Sequence, residues 1–277
     1  MDEILIDIKN LSCQAGYQYL LRDINWQVKP GEQWVVFGQN GCGKTTLLSI
    51  VAGYKGYSSG ELRIFGEEYA PENILNLRQR IGWISSSFFD KCYTTEIVLD
   101  IVLSGLFGTL GLQFDIENAH IIKARDLLIE LGLKDKIMSP FDLLSKGERQ
   151  QVLIARAFIA SPEILILDEP GTGLDALARE RLLATIKALA DAKETTIIYV
   201  THYPEEILPS FDHCLLLRNS AIYRLGSTEE LFTSEIMSDF FNYPVLVSRE
   251  ADERFDFTID SEAISGFTSE NGVKKYV

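Results

Sequence analysis

Two kinds of hydrophobic spacing divide this chain. Near the N-terminus Ile24, Trp26 and Val28 alternate with Asp23, Asn25, Gln27 and Lys29, the period-2 pattern of a strand with one wet face, and Pro30-Gly31 turns the chain behind them. Glu61-Leu62-Arg63-Ile64-Phe65 alternates in the same way, so residues 1–30 and 60–66 are expected to share a small antiparallel sheet. Elsewhere apolar residues come in short continuous runs: Trp34 to Phe37, Ile164 to Leu167, Thr196 to Val200 and Cys214 to Leu217. Such runs, separated by helical patterns, predict strands buried on both faces of a parallel α/β core.

Between Tyr93 and Ala160 the strand pattern disappears. Ile121, Ala124, Leu128 and Leu131 share a helical face ahead of a stop at Gly132, and Arg149 to Ala160 continues as a helix ended by Ser161-Pro162. An all-helical insertion is expected there. Beyond Glu230 two short β-like runs remain, Pro244 to Val247 and Arg254 to Thr258, with no legible function. No internal repeat or low-complexity linker interrupts the chain, which reads as one compact unit with subdomains.

Composition excludes more than it assigns. The 277 residues are 46% hydrophobic and 24% charged, ordinary for a folded chain. A net charge of −14 leaves no diffuse footprint for DNA, RNA or anionic lipid, so no nucleic-acid partner is expected. Cys13, Cys42, Cys92 and Cys214 lie far apart and make no zinc-ligand spacing with His120, His202 or His213, which reads as a reducing compartment without structural metal. Met1-Asp2-Glu3-Ile4 is acidic and opens no secretory signal; the longest uncharged stretch, Ile101 to Phe114, is short of the roughly 20 apolar residues of a spanning helix.

The chemistry is in two motifs. Gly38-Gln39-Asn40-Gly41-Cys42-Gly43-Lys44-Thr45 fits G-x-x-x-x-G-K-[ST] between the buried run ending at Phe37 and the helical pattern from Thr46. Glycines there let successive N–H groups point at phosphate oxygens, Lys44 neutralises β/γ-phosphate charge and Thr45 ligates Mg²⁺. Cys42 reads as a small residue that fits rather than as a redox-sensitive thiol. The second motif, Asp168-Glu169, ends the run Ile164 to Leu167 at the carboxyl end of a strand, where open α/β sheets place ligands. Asp168 is expected to hold the metal, and Glu169, facing another way because side chains alternate along a strand, to be the general base.

With Leu144-Ser145-Lys146-Gly147-Glu148-Arg149-Gln150-Gln151 between these motifs, the chain resembles the ATP-binding cassette (ABC) superfamily up to about residue 230. The resemblance implies an α/β P-loop NTPase (RecA-like) fold: a parallel-sheet core, a small antiparallel β subdomain and an α-helical subdomain at about 93–160, all within residues 1–240, with 241–277 as a short C-terminal extension. It implies ATP and Mg²⁺ as cofactors. It also implies an ATP-sandwich dimer in which Ser145 and Gly147 of one copy complete the phosphate site of Lys44 and Thr46 of the other. Read alone, Ser145 and Glu148 also make a helix-capping box. Gly173-Leu174-Asp175 resembles the family's D-loop, and His202 its switch histidine at the γ-phosphate.

Three features qualify the resemblance. The slot of the family's glutamine, which touches metal and attacking water, falls at Ser86, whose shorter side chain needs loop movement or a bridging water to reach a metal. The adenine-stacking aromatic is unclear: the usual position is Ala15, and Tyr17 is the candidate if the segment is extended. Val102 to Gly108 resembles a stretch of importer ATPases for metal chelates and reads equally as a permease-docking edge or a core helix. The function implied is the ATPase subunit of an ABC transporter, cytoplasmic and peripherally held at the inner face of the cell membrane by transmembrane permease subunits. The alternative is a soluble ABC ATPase with a regulatory or repair-type role.

Overall fold

The alternating N-terminal residues form the hairpin they predict. In the computed structural model, which describes residues 4–112 and 114–259, β1 (Ile6–Ala15) pairs antiparallel with β2 (Gln18–Val28) around a turn at Gly16-Tyr17. Ile24, Trp26 and Val28 are buried and the residues between them exposed. The chain then enters the core as β3 (Gln33–Phe37) and, past the glycine loop, α1 (Lys44–Val51). It returns to the small sheet as β4 (Ser59–Ile64) and the two-residue β5 (Glu67–Glu68), giving the order β2-β1-β4-β5. The sequence of Met1 to Glu3 lies outside the described residues.

Next, α2 (Ile74–Arg80) runs directly into β6 (Ile81–Ser85), and β6 directly into α3 (Ser86–Cys92). The helical insertion follows, with α4 (Val98–Ser104), α5 (Asn118–Glu130) and α6 (Lys146–Phe158) as its main elements. Ala124 and Leu128 face inward on α5, and Gly132, at φ 79°, takes the chain out of the helix as anticipated. The core resumes with β7 (Ile164–Asp168), α7 (Ala176–Ala192), β8 (Thr196–Thr201), β9 (His213–Arg218) and β10 (Ala221–Ser227). Two short helices, α8 (Thr228–Leu231) and α9 (Ser234–Phe241), precede a hairpin of β11 (Val245–Arg249) and β12 (Phe255–Ile259). The remainder of the C-terminal extension, 260–277, lies outside the described residues.

The main sheet has the order β10-β9-β3-β8-β7-β6. Strands β9 to β6 are parallel, and β10 adds to β9 antiparallel. All four continuous apolar runs are central strands. Burying each Val, Leu or Ile there contributes about 1.5–3 kcal/mol, which is why no polar alternation survives in them. Two strands lack that signal. The edge strand β10 is only half-buried, and β6 is five residues long and carries a glycine at its second position.

That glycine has a packing reason: a Cβ at Gly82 would lie 2.8 Å from the carbonyl oxygen of Ala157, so α6 lies directly against β6. The same seam holds Arg156, fully buried, which donates to the Tyr54 hydroxyl at 2.9 Å and the Thr109 carbonyl at 2.9 Å, with its guanidinium 4.6 Å from the Phe89 ring. The helical insertion is thereby fixed to the core beside the site. Val102 to Gly105 are buried in the core, as the core-helix reading expects, while Leu106 and Phe107 are half-buried and the exposed apolar side chains nearby are Leu110 and Phe114. At the far side, Phe255 and Phe257 of the C-terminal hairpin pack on Phe232, and Arg254 bonds Glu180 of α7 at 3.0 Å and the Glu205 carbonyl at 3.2 Å. Among the described residues no helix is long and apolar enough to cross a membrane.

Candidate active site

β3 ends at Phe37, and the chain curls before α1 begins at Lys44. The curl requires glycine at Gly38, where a Cβ would meet the Leu217 carbonyl oxygen at 2.4 Å, and at Gly43, which takes φ 113°. Lys44 is 4% exposed. Its Nζ donates to the carbonyls of Gly38 at 2.8 Å and Gln39 at 3.2 Å and lies 3.3 Å from Glu169 Oε1, so its three protons have three acceptors, two in the loop and one beyond β7. Phosphate oxygens are stronger acceptors than carbonyls and can replace them at little structural cost.

The strand β7 delivers the two carboxylates differently. Asp168 is buried at its end, accepting a hydrogen bond from Thr45 Oγ1 at 3.3 Å on Oδ1 and one from Ser85 Oγ at 2.9 Å on Oδ2. Burial pushes its carboxyl up to about 6; the two hydroxyls and Lys44 oppose that rise, and Glu169 adds to it. Glu169 leaves the strand path in the left-handed region, at φ 51°, with its N–H donating to the Val200 carbonyl at 3.0 Å. Its Oε1 is 3.2 Å from His202 Nδ1 as well as 3.3 Å from Lys44 Nζ.

Thr45 and Asp168 present hard oxygen donors on one wall, and among the described residues no group of three or more His, Cys, Asp or Glu is placed to hold a metal. That donor set fits Mg²⁺, which takes one or two protein oxygens and completes its shell with phosphate and water.

A cavity of about 400 Å³ opens over the loop, lined by Asn40, Gly41, Lys44, Thr45, Thr46 and Glu169, and on its far wall by Tyr19 and Leu20 of β2. Its volume is within the ordinary range for a small-molecule site. Tyr17 is not brought to it. That residue occupies the hairpin tip and is fully exposed, because Gly16-Tyr17 turns where an extended strand was assumed, and Tyr19 is the aromatic at the cavity. Cys42 is buried and its thiol is pushed up by burial, more than Lys44 lowers it, so it is not an activated thiolate.

A smaller cavity of about 210 Å³ adjoins, lined by Thr45, Ser86, Gln150, Asp168, Glu169 and Leu174 among others. Ser86 lines this cavity with Asp168 but is not hydrogen-bonded to it: it opens α3, and its hydroxyl donates to Gln150 Oε1 at 2.7 Å. Ser85, one residue earlier and in register with Asp168, makes the carboxylate contact. Ser85 and Gln150 were missed from sequence; parallel register between two strand ends could have exposed the first, and nothing local marks the second.

Ser145 caps α6, accepting from the Glu148 N–H at 3.3 Å while Glu148 Oε2 accepts from the Ser145 N–H at 2.8 Å. Neither Ser145 nor Gly147 lines the cavities beside Lys44 and Thr45, although Lys146 between them lines the smaller one. Gly147 borders a separate groove with Leu174 and Ala178, and a Cβ placed on it would meet nothing within 4 Å. Within this chain, then, no contact demands glycine at 147.

A glycine loop after a central parallel strand, a buried lysine inside it and an acidic pair at the neighbouring strand end define a P-loop nucleotide hydrolase. The ABC transporter family model matches residues 21–172. An uncharacterised ABC transporter ATP-binding protein of Bacillus subtilis, YlmA, is 39% identical over 91% of this chain and 96% of its own. An inward-facing metal-chelate type ABC transporter is similar in structure, at a TM-score of 0.72 and 26% identity, over 94% of this chain and 99% of that one. A dimeric bacterial ABC transporter cassette shares the fold at a TM-score of 0.69 and 23% identity, covering 80% and 98%. The chain belongs to the ABC transporter ATP-binding family and is an ATPase.

Proposed function

We propose that this ATPase works as a sandwich of two copies beneath a transmembrane permease and powers the import of a metal chelate. The observation that carries the site reading is the convergence on Glu169 Oε1, within 3.3 Å of the Lys44 ammonium and 3.2 Å of His202. Lys44 and the N–H groups of 38–46 hold the phosphates, with Tyr19 at the adenosine end of the cavity. Thr45 and Asp168 would hold Mg²⁺, which would supply positive charge to offset that of the phosphates. Glu169 accepts a proton from the attacking water, and His202, bonded to Glu169, keeps that carboxylate oriented and reaches the γ-phosphate.

Ser145 and Gly147 serve the other copy. The open space over Gly147 and the helix N-terminus capped by Ser145 suit a phosphate arriving from outside the chain. The dimeric cassette of the same fold supports this arrangement, and the metal-chelate type relative together with Val102 to Gly108 supports the substrate class. Docking on a permease would hold the protein at the inner face of the membrane, and residues 1–240 would form the working unit.

The test is native purification from membranes. Co-purification of a hydrophobic subunit, with ATP hydrolysis stimulated by a metal chelate and its binding protein, is expected; a soluble homodimer with no membrane partner would replace this reading with a regulatory or repair-type ABC ATPase.

A further inference from the structure

Gln150 is 5% exposed, on the face of α6 turned toward β6 and α3. One end of its amide is fixed, Oε1 accepting from Ser86 Oγ at 2.7 Å. The other end, Nε2, is buried without a hydrogen-bond partner among the described residues. A buried, unpaired N–H is unfavourable, and a native fold keeps one where something else supplies the acceptor. Here the side chain lines the 210 Å³ cavity shared with Thr45, Asp168 and Glu169. The space is polar and has room for water, and because Nε2 itself is enclosed, a small shift of α6 is what brings it within reach of that water.

We propose that Gln150 binds the water that Glu169 activates, with Ser86 as the positioning residue that holds the amide. An N–H donated to the water's oxygen leaves the water's own protons free, one of them for the Glu169 carboxylate on the same cavity wall. The role a long side chain at position 86 would fill is thus divided between two elements, a short hydroxyl on α3 and an amide on α6. Because Gln150 shares a helix with Ser145 and Gly147, a movement of α6 that engages the second copy's nucleotide also moves the amide at the chain's own site. Each site would then report on the other through one rigid helix.

The inference rests on Glu169 being the base, so Glu169→Gln is measured beside the test variants. Gln150→Met keeps the side-chain length, removes both polar atoms and suits a buried helical position. Expected for Gln150→Met is a kcat lowered about 10- to 100-fold, less than the roughly 10²- to 10⁴-fold lost with a general base, with KM for ATP, affinity for a non-hydrolysable ATP analogue and thermal midpoint all retained. Ser86→Ala should lower kcat less, and the double variant should be no slower than Gln150→Met alone, since the hydroxyl acts only through the amide. A Gln150→Met enzyme with kcat within twofold of wild type overturns the inference, as does full additivity with Ser86→Ala. A kcat loss matched by a lower thermal midpoint and weaker analogue binding also overturns it, in favour of a packing role. If Glu169→Gln hydrolyses ATP at the wild-type rate, the base assignment fails; if Glu169→Gln is inactive and Gln150→Met is not, only this inference fails.

Discussion

Ser85 donates its hydroxyl to Oδ2 of Asp168 at 2.9 Å, across two adjacent parallel strands whose ends are in register. With Thr45 on Oδ1, both carboxylate oxygens are occupied, yet burial still raises the group to about 6. Asp168 is therefore held at a cost to the nucleotide-free fold.

Replacing that charge by an isosteric amide should stabilise the protein. The folded value near 6 lies above the ordinary 3.8, so the protonated form's advantage is full below about pH 4 and is lost as pH rises through 6. Asp168→Asn should match wild type near pH 4 and exceed it by up to about 3 kcal/mol at pH 7.5, taking 1.36 kcal/mol per pH unit. Urea unfolding of the nucleotide-free proteins at both pH values measures this. Equal stability at pH 7.5 would show that the buried charge is compensated.

Lys44→Ala removes the ammonium enclosed by the Gly38 and Gln39 carbonyls and leaves the glycine curl foldable. Affinity for an ATP analogue should fall at least tenfold, about 1.4 kcal/mol, with cooperative unfolding retained. Titration by fluorescence or calorimetry decides it, and undiminished affinity would remove the loop from the nucleotide site.

Glu169→Gln keeps the side chain's size beside Lys44 and His202 but removes the carboxylate proposed as the base. Hydrolysis should drop by about 10²- to 10⁴-fold, and a dimer should accumulate with ATP and Mg²⁺. Light scattering after size exclusion, with and without EDTA, reads both the dimer and its need for the metal. A monomer at saturating nucleotide would argue against the sandwich.

The hairpin turn at Gly16-Tyr17 separates two aromatics that sequence position alone does not distinguish. Tyr19→Ala should weaken ATP binding roughly three- to tenfold, the range of a stacking contact of about 0.5–1.5 kcal/mol. Tyr17→Ala should leave it within twofold. The reverse ranking, measured by the same titration, would return the adenine to the hairpin tip.

The parallel core was legible in sequence because its strands are buried on both faces, and Ile164 to Leu167 cannot be mistaken for a one-sided strand. β6 was not, since Ile81 to Ser85 is short and its Gly82 answers to the Ala157 backbone rather than to strand preference. The same divide runs through the site. Lys44, Thr45, Asp168 and Glu169 stand in motifs whose spacing is dictated by one turn or one strand end, and the structure gathers them. Ser85 and Gln150 come from elements brought together only by register and helix packing, and the placement of Tyr17 depended on where a two-residue turn fell.

Glu169 is neither glycine nor asparagine, yet it occupies the left-handed backbone region, a placement that costs roughly 1–2 kcal/mol for such a residue. Beside it stands a buried carboxylate that an amide would relieve. Two neighbouring positions thus resist the fold in the service of the chemistry, and heat would act on them unequally. A library of this chain sorted only for survival at high temperature should enrich Asp168→Asn early but keep an acid at 169, whose carboxylate neutralises the buried Lys44 ammonium and so outweighs the backbone strain, and the survivors would be durable proteins with impaired turnover of ATP. Any programme to harden this ATPase has to hold residues 168 and 169 fixed and look for its gains elsewhere.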